Sequence, residues 1–134
     1  MEVDSKLEGK ADRVVVDAPC TGLGIIRRKP DIKWARDIMD IKEITDLQGK
    51  VLKSASRYVK PGGVLVYSTC TIESNENQDV VESFLKSNND FQLVDISSNL
   101  PKELIKSTAA KGYIQLFPNM DKIDGFFVSK MMRR

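Results

Sequence analysis

Three features of the chain predict an α/β fold: an apolar run at Val14-Val15-Val16, a second at Val64-Leu65-Val66-Tyr67, and one long helical pattern between them. Strand, crossover helix and strand make a parallel pair, with both carboxyl ends at the same sheet edge. Each strand is followed at once by a cysteine, in Asp17-Ala18-Pro19-Cys20-Thr21-Gly22 and in Ser68-Thr69-Cys70-Thr71, and these are the only two cysteines in the chain. Neighbouring strands lie roughly 5 Å apart, so two adjacent strands would bring both thiols into the crevice where open α/β sheets bind ligands.

Arg13 to Asp17 reads as a buried strand ended by Pro19, and Thr21 to Pro30 has the glycine and charge content of a functional loop. Asp31 to Arg36 is expected as a short turn or helix. From Asp37 the residues Ile38, Ile41, Ile44, Leu47, Val51, Leu52, Ala55, Tyr58 and Val59 recur at helical spacing, and Pro61-Gly62-Gly63 stops them. Val64 to Ser68 is the second strand. Beyond Cys70 a helix carries Val80, Val81, Phe84 and Leu85 on one face, with Ser74 as its expected cap. Phe91 to Ile96 reads as a third strand, and Tyr113 to Phe117 with Gly125 to Met131 as a final extended pair around the turn Pro118 to Asp124. Ser97 to Gly112 is weakly patterned.

A length of 134 residues fits one domain with a substantial core. No apolar run reaches the roughly 20 residues that span a bilayer, and no secretory signal opens the chain, so a cytoplasmic protein without a membrane partner is expected. With no histidine and two cysteines a zinc site is not expected. The net charge is only +2, yet Arg27-Arg28-Lys29, Lys33 and Arg36 crowd together against a single acid, Asp31. Such a patch either neutralises nucleic-acid phosphates or forms a solvated loop.

Asp17-Ala18-Pro19-Cys20-Thr21-Gly22-Leu23-Gly24, followed by Arg27-Arg28-Lys29-Pro30-Asp31-Ile32-Lys33-Trp34, closely resembles the Sun-type ribosomal RNA cytosine-5 methyltransferases, bacterial relatives of the Nop2/Sun family. The resemblance continues in family order through Lys60-Pro61-Gly62-Gly63, Tyr67-Ser68-Thr69-Cys70-Thr71, Glu76-Asn77, Gln115-Leu116-Phe117-Pro118 and Asp124-Gly125-Phe126-Phe127. It implies the second half of a Rossmann-like S-adenosylmethionine-dependent methyltransferase sheet, mostly parallel with the last strand antiparallel. Residues 13–134 would be the C-terminal part of the catalytic domain, and residues 1–12 a tail or the start of the fragment. The family's glycine-rich cofactor loop, an active-site lysine and a NusB-like RNA-binding domain have no matching positions in this chain. The missing N-terminal half is therefore an expected partner of an otherwise monomeric chain. An acidic cofactor contact upstream of the first strand would correspond to Glu2 or Asp4.

The resemblance also assigns roles. Carbon 5 of cytosine becomes nucleophilic only after a thiolate adds to carbon 6, and that thiolate is assigned to Cys70. A strand end beside a helix start favours such a thiolate. Cys20 is assigned the release of product after methyl transfer, as a base. Asp17 would lie near both the base edge and the methyl donor, S-adenosylmethionine, where a carboxyl group can hydrogen-bond cytosine. The substrate would be RNA, with small-subunit ribosomal RNA the expected class and the target base turned out of its stack. Arg27, Arg28 and Lys33 are the candidate backbone contacts, and Trp34 either stacks on a base or anchors the loop. Three readings compete: DNA cytosine-5 methylation, a non-catalytic RNA-binding module or inactive fragment, and a thiol redox protein with a Cys20-Cys70 disulfide. Thr21 after Cys20, and a second cysteine in Thr-Cys context, favour RNA over DNA.

Overall fold

A computed structural model describes residues 3–32 and 38–134. The expected elements at Lys33, Trp34 and Arg36, and the candidate acid Glu2, lie outside the described residues. Strand β1 (Ala11–Asp17) leads through a short 3-10 turn at Leu23–Ile25 to helix α1 (Ile38–Ser56) and strand β2 (Val59–Thr69). A second 3-10 turn, Ser74–Glu76, opens onto α2 (Gln78–Ser87) and β3 (Phe91–Leu93). Then come β4 (Tyr113–Leu116), the short α3 (Pro118–Asp121) and β5 (Phe126–Arg133).

The strands form one sheet in the order β1-β2-β5-β3, with β4 also paired to β5. β1 and β2 are parallel, Val14 opposite Leu65 and Asp17 opposite Ser68. β5 runs antiparallel to β2, β3 and β4. It carries β4 against Phe126–Ser129 and β3 against Met131–Arg133, end to end along one edge. Four strands thus point one way and the last the other, as the resemblance implies.

Period-2 alternation along β5 divides its side chains between two layers. Phe127 and Met131 face α1 and α2, where they meet Leu52, Leu65, Tyr67, Val81 and Phe84 in the main core. Phe126 and Val128 face the other way onto Ile96, Leu100, Leu104, Ala109 and Ile114. The weakly patterned stretch is therefore a second layer. Its 3-10 turns at Ser97–Asn99, Lys102–Leu104 and Ala109–Lys111 space apolar residues irregularly, which hides them from a periodicity test.

Four expectations need correction. The crossover helix ends at Ser56, and its buried row is Gln48, Leu52 and Ser56, leaving Leu47 43% exposed. Lys60–Gly63 is a bulge within β2, because Ala11 pairs with Val59 while Arg13 pairs with Val64, and Gly62 supplies the positive φ of 75° at its tip. β1 is buried only at Val16. It lies outermost in the sheet, and no described element covers Val15, which is 67% exposed. Ser74 does not cap α2, since it opens the preceding 3-10 turn and Asn77 takes the N-cap position without a side-chain cap bond.

Tyr67 ties the core to the next segment. Its ring is fully buried and its hydroxyl donates to the Glu76 carbonyl at 2.7 Å. Burial holds the phenol well above its ordinary pKa, so it stays a donor. Tyr67→Phe keeps the packing and removes only the donor, an expected loss of about 1–2 kcal/mol in unfolding free energy. A urea midpoint that does not move would show that this bond contributes nothing. Among the described residues no helix is long and apolar enough to cross a membrane.

Candidate active site

The β1–β2 ladder ends at Asp17 and Ser68, with one further bond from Ala18 N–H to the Ser68 carbonyl at 2.9 Å. Pro19 has no amide hydrogen with which to extend it. The chain turns out of the sheet on both strands at the same level, and the turns carry Cys20 and Cys70. Their Sγ atoms stand 3.3 Å apart, both half-buried, as free thiols. Burial, and secondarily the hydrogen bond that the Cys20 thiol makes to the Cys70 sulfur, push the Cys20 thiol from 9.0 up to about 12. Cys20 therefore holds its proton at neutral pH.

Unfolded Cys20 ionises near 9.0 and folded Cys20 near 12, so its contribution is intact below pH 9 and is lost as pH rises toward 12. The urea midpoint of the parent chain should fall faster across that window than that of Cys20→Ser. Parallel curves would contradict the shift.

Asp17 is exposed at the end of β1 and accepts the Ser68 hydroxyl at 3.1 Å. That bond ties Asp17 to the end of β2, two residues before Cys70. Arg27 and Arg28 lie on the loop after Cys20, and both pair with Asp124, Arg28 Nε at 2.7 Å from Oδ2. Their side chains stay 46% and 71% exposed. Asp124 offsets part of the charge of the basic patch, a pairing invisible in sequence because it joins residues about a hundred apart. Lys33 lies outside the described residues.

Beneath the thiols lies a polar layer that sequence reasoning left without a role. Glu76 and Asn77 are fully buried. Glu76 accepts the Thr21 N–H at 2.9 Å, the Thr21 hydroxyl at 2.5 Å and the Gln48 amide at 2.9 Å. Gln48 also donates to the Pro19 carbonyl at 2.9 Å. Asn77 accepts from the Thr69 hydroxyl at 2.5 Å and donates to the Thr71 carbonyl at 3.1 Å and to Gln115 Oε1 at 2.7 Å. A sequence signal for Gln48 exists: it falls four residues from both Ile44 and Leu52, a polar residue on the helix's apolar stripe.

The two loops are also stitched through backbone. Gly24 N–H donates to the Cys70 carbonyl at 3.0 Å, and Gly125 N–H to the Gly24 carbonyl at 2.8 Å. Gly24 and Gly125 permit this close approach, because a Cβ on either would meet atoms of the other glycine. Among the described residues no group of three or more cysteine or carboxylate side chains converges as metal ligands would.

Comparison with known proteins finds a family model described as 16S rRNA methyltransferase RsmB/F that matches residues 1–132. A probable ribosomal RNA small subunit methyltransferase B of Bacillus subtilis is 38% identical over 124 residues, 92% of this chain and 28% of its own length. The ribosomal RNA small subunit methyltransferase B of Pectobacterium atrosepticum is 40% identical over 132 residues, and the chain spans 28% of it. Among solved structures, NSun6 from Pyrococcus horikoshii with SFG superposes with a TM-score of 0.71 at 28% identity, over 89% of this chain and 29% of that one.

Proposed function

The chain belongs to the 16S rRNA methyltransferase RsmB/F family, and from that premise we propose that it supplies the thiol half of an S-adenosylmethionine-dependent RNA cytosine-5 methyltransferase. The observation that carries this reading is the pair of thiols 3.3 Å apart at the carboxyl ends of two parallel strands. One of them keeps its proton. The chain spans 28% of the length of the Bacillus and Pectobacterium relatives, and turnover is proposed for a polypeptide of their full length.

Each thiol takes one task. Cys20 keeps its proton and can donate it toward the Cys70 sulfur 3.3 Å away, and in this reading Cys70 is the nucleophile. Cys70 Sγ adds to carbon 6 of a cytosine turned out of its stack, and electron density moves to carbon 5. Asp17 faces the base edge, where its carboxylate can accept a hydrogen bond from the exocyclic amine of cytosine and hold the ring in place for that addition. After methylation Cys20 gives its own proton to solvent water and then accepts the carbon 5 proton, ending protonated as it began. A thiolate whose conjugate acid has a pKa of about 12 is a strong base for that step. Loss of this proton expels Cys70 Sγ and restores the aromatic ring.

The exposed carboxylate of Asp17 beside the sulfurs fits the methyl-donor edge of a S-adenosylmethionine pocket; SFG, carried by the Pyrococcus structure, is an analogue of that cofactor. When bound, S-adenosylmethionine supplies an electrophilic methyl group. Asp17 is the residue of this chain that would contact it. Arg27 and Arg28 keep enough exposure to meet RNA phosphates, in competition with Asp124. The RNA class supported by the family is small-subunit ribosomal RNA.

The test joins this chain to the upstream remainder found in its relatives and offers S-adenosylmethionine with RNA carrying 5-fluorocytosine. The fluorine cannot leave as a proton does, so a covalent species should persist through denaturation and map by peptide digestion to Cys70. An adduct on Cys20 would overturn the assignment.

A further inference from the structure

We propose that Glu76 is the positioning residue that sets the distance between the two thiols. The inference deepens the proposed function and rests on its assignment of both cysteines. Each cysteine is followed by a threonine, and both threonines are buried at 1% exposure or less, although the cysteines are only half-buried. The Thr21 and Thr71 hydroxyls lie 2.9 Å apart. Because the Thr21 hydroxyl gives its proton to Glu76, the Thr71 hydroxyl must donate to Thr21 Oγ1. One line of donors therefore runs from the Cys70 loop through the Cys20 loop to a single carboxylate.

The same carboxylate has a second hold on the Cys20 loop. It takes the Thr21 N–H directly, and through Gln48 it is linked to the Pro19 carbonyl. Cys20 is thus gripped on both flanks, while its sulfur stays free to face Cys70. Gln48 Oε1 has no partner, because its amide group is turned to serve Pro19 and Glu76 with its nitrogen. An orphaned buried acceptor is a cost that the opposite amide orientation would not reduce, since it would break both bonds. The ladder stops at Ser68, and beyond it the Gly24 N–H to Cys70 carbonyl bond and the contact between the two sulfurs also link the turns directly.

Phenylarsine oxide reads the thiol spacing without RNA or methyl donor: it condenses with two thiols, forming two arsenic–sulfur bonds and releasing one water. The parent chain should bind it as a dithiol. Thr21→Val removes only the hydroxyl link and should weaken binding about tenfold while the chain still unfolds cooperatively. Glu76→Gln keeps an acceptor for Thr21 N–H and Gln48, and its amide can donate to Thr21, which then donates to Thr71. It should bind within about threefold of the parent. Glu76→Ala should match or exceed the loss in Thr21→Val, and if it does not fold, Thr21→Val alone decides. A folded Thr21→Val that binds the arsenical as the parent does would overturn the proposal. Mapping of the RNA adduct is a separate readout: a Cys20 adduct would sink the proposed function and leave the arsenical result standing.

Discussion

Cys70→Ser, in the longer polypeptide, is expected to lose methyl transfer by on the order of a thousandfold or more and to give no covalent species with 5-fluorocytosine RNA. Serine keeps the shape of the turn but offers a hydroxyl whose anion is not available at neutral pH, so carbon 6 meets no nucleophile. Cys20→Ser should behave differently. On the proposed mechanism addition and methylation would still run through Cys70 while the proton on carbon 5 would lack its base, so the adduct should accumulate with ordinary cytosine. The two variants therefore differ in kind, one without adduct and one with a stalled adduct. If both gave equal residual turnover and no trapped species, neither sulfur would act as nucleophile or base. Their proximity of 3.3 Å would then be packing alone.

Gly24→Ala is expected to be the most damaging single methyl among the described residues. An added Cβ would lie 2.1 Å from the Gly125 carbonyl oxygen and 2.8 Å from that of Cys70. All the crowding atoms are backbone, so no side chain can rotate away. The loop must move, and with it go the bonds from Gly24 N–H to Cys70 and from Gly125 N–H to Gly24. A loss of about 3 kcal/mol in unfolding free energy follows from overpacking with two broken backbone bonds. Arsenical binding should fall along with it. Full stability in denaturant titration would mean that the two glycine segments do not meet in solution.

The parallel pair and its two thiols can be read from sequence because each part has a local signal: short apolar runs, a helical stripe, and turn residues at both strand ends. The second layer beneath β5 cannot, because Ile96, Leu100, Leu104 and Ala109 lie on successive 3-10 turns that share no single period. The polar layer is legible only in part. Glu76 and Asn77 stand in a motif, but their burial comes from the packing of the Cys20 loop, α1 and β4 around them, and those contacts span 28 to 55 residues of chain. The pairing of Arg27 and Arg28 with Asp124 is likewise a tertiary event, and it turns an apparent free cluster of charge into a partly neutralised one. Exposure of Val15 is hidden for the opposite reason. A β-branched run signals a strand, not whether anything covers it.

The central placement of β5 has a consequence for biosynthesis. This strand, synthesised after all of its neighbours, is inserted between β2 and the β3–β4 edge, and the segment just before it supplies Gly125, which bonds the loop after Cys20. On a ribosome the earlier strands therefore wait without their shared neighbour, and the Cys20 loop lacks its bond from Gly125 until that segment leaves the exit tunnel. Nascent intermediates thus expose unpaired strand edges, which makes this interval the period of greatest need for chaperones.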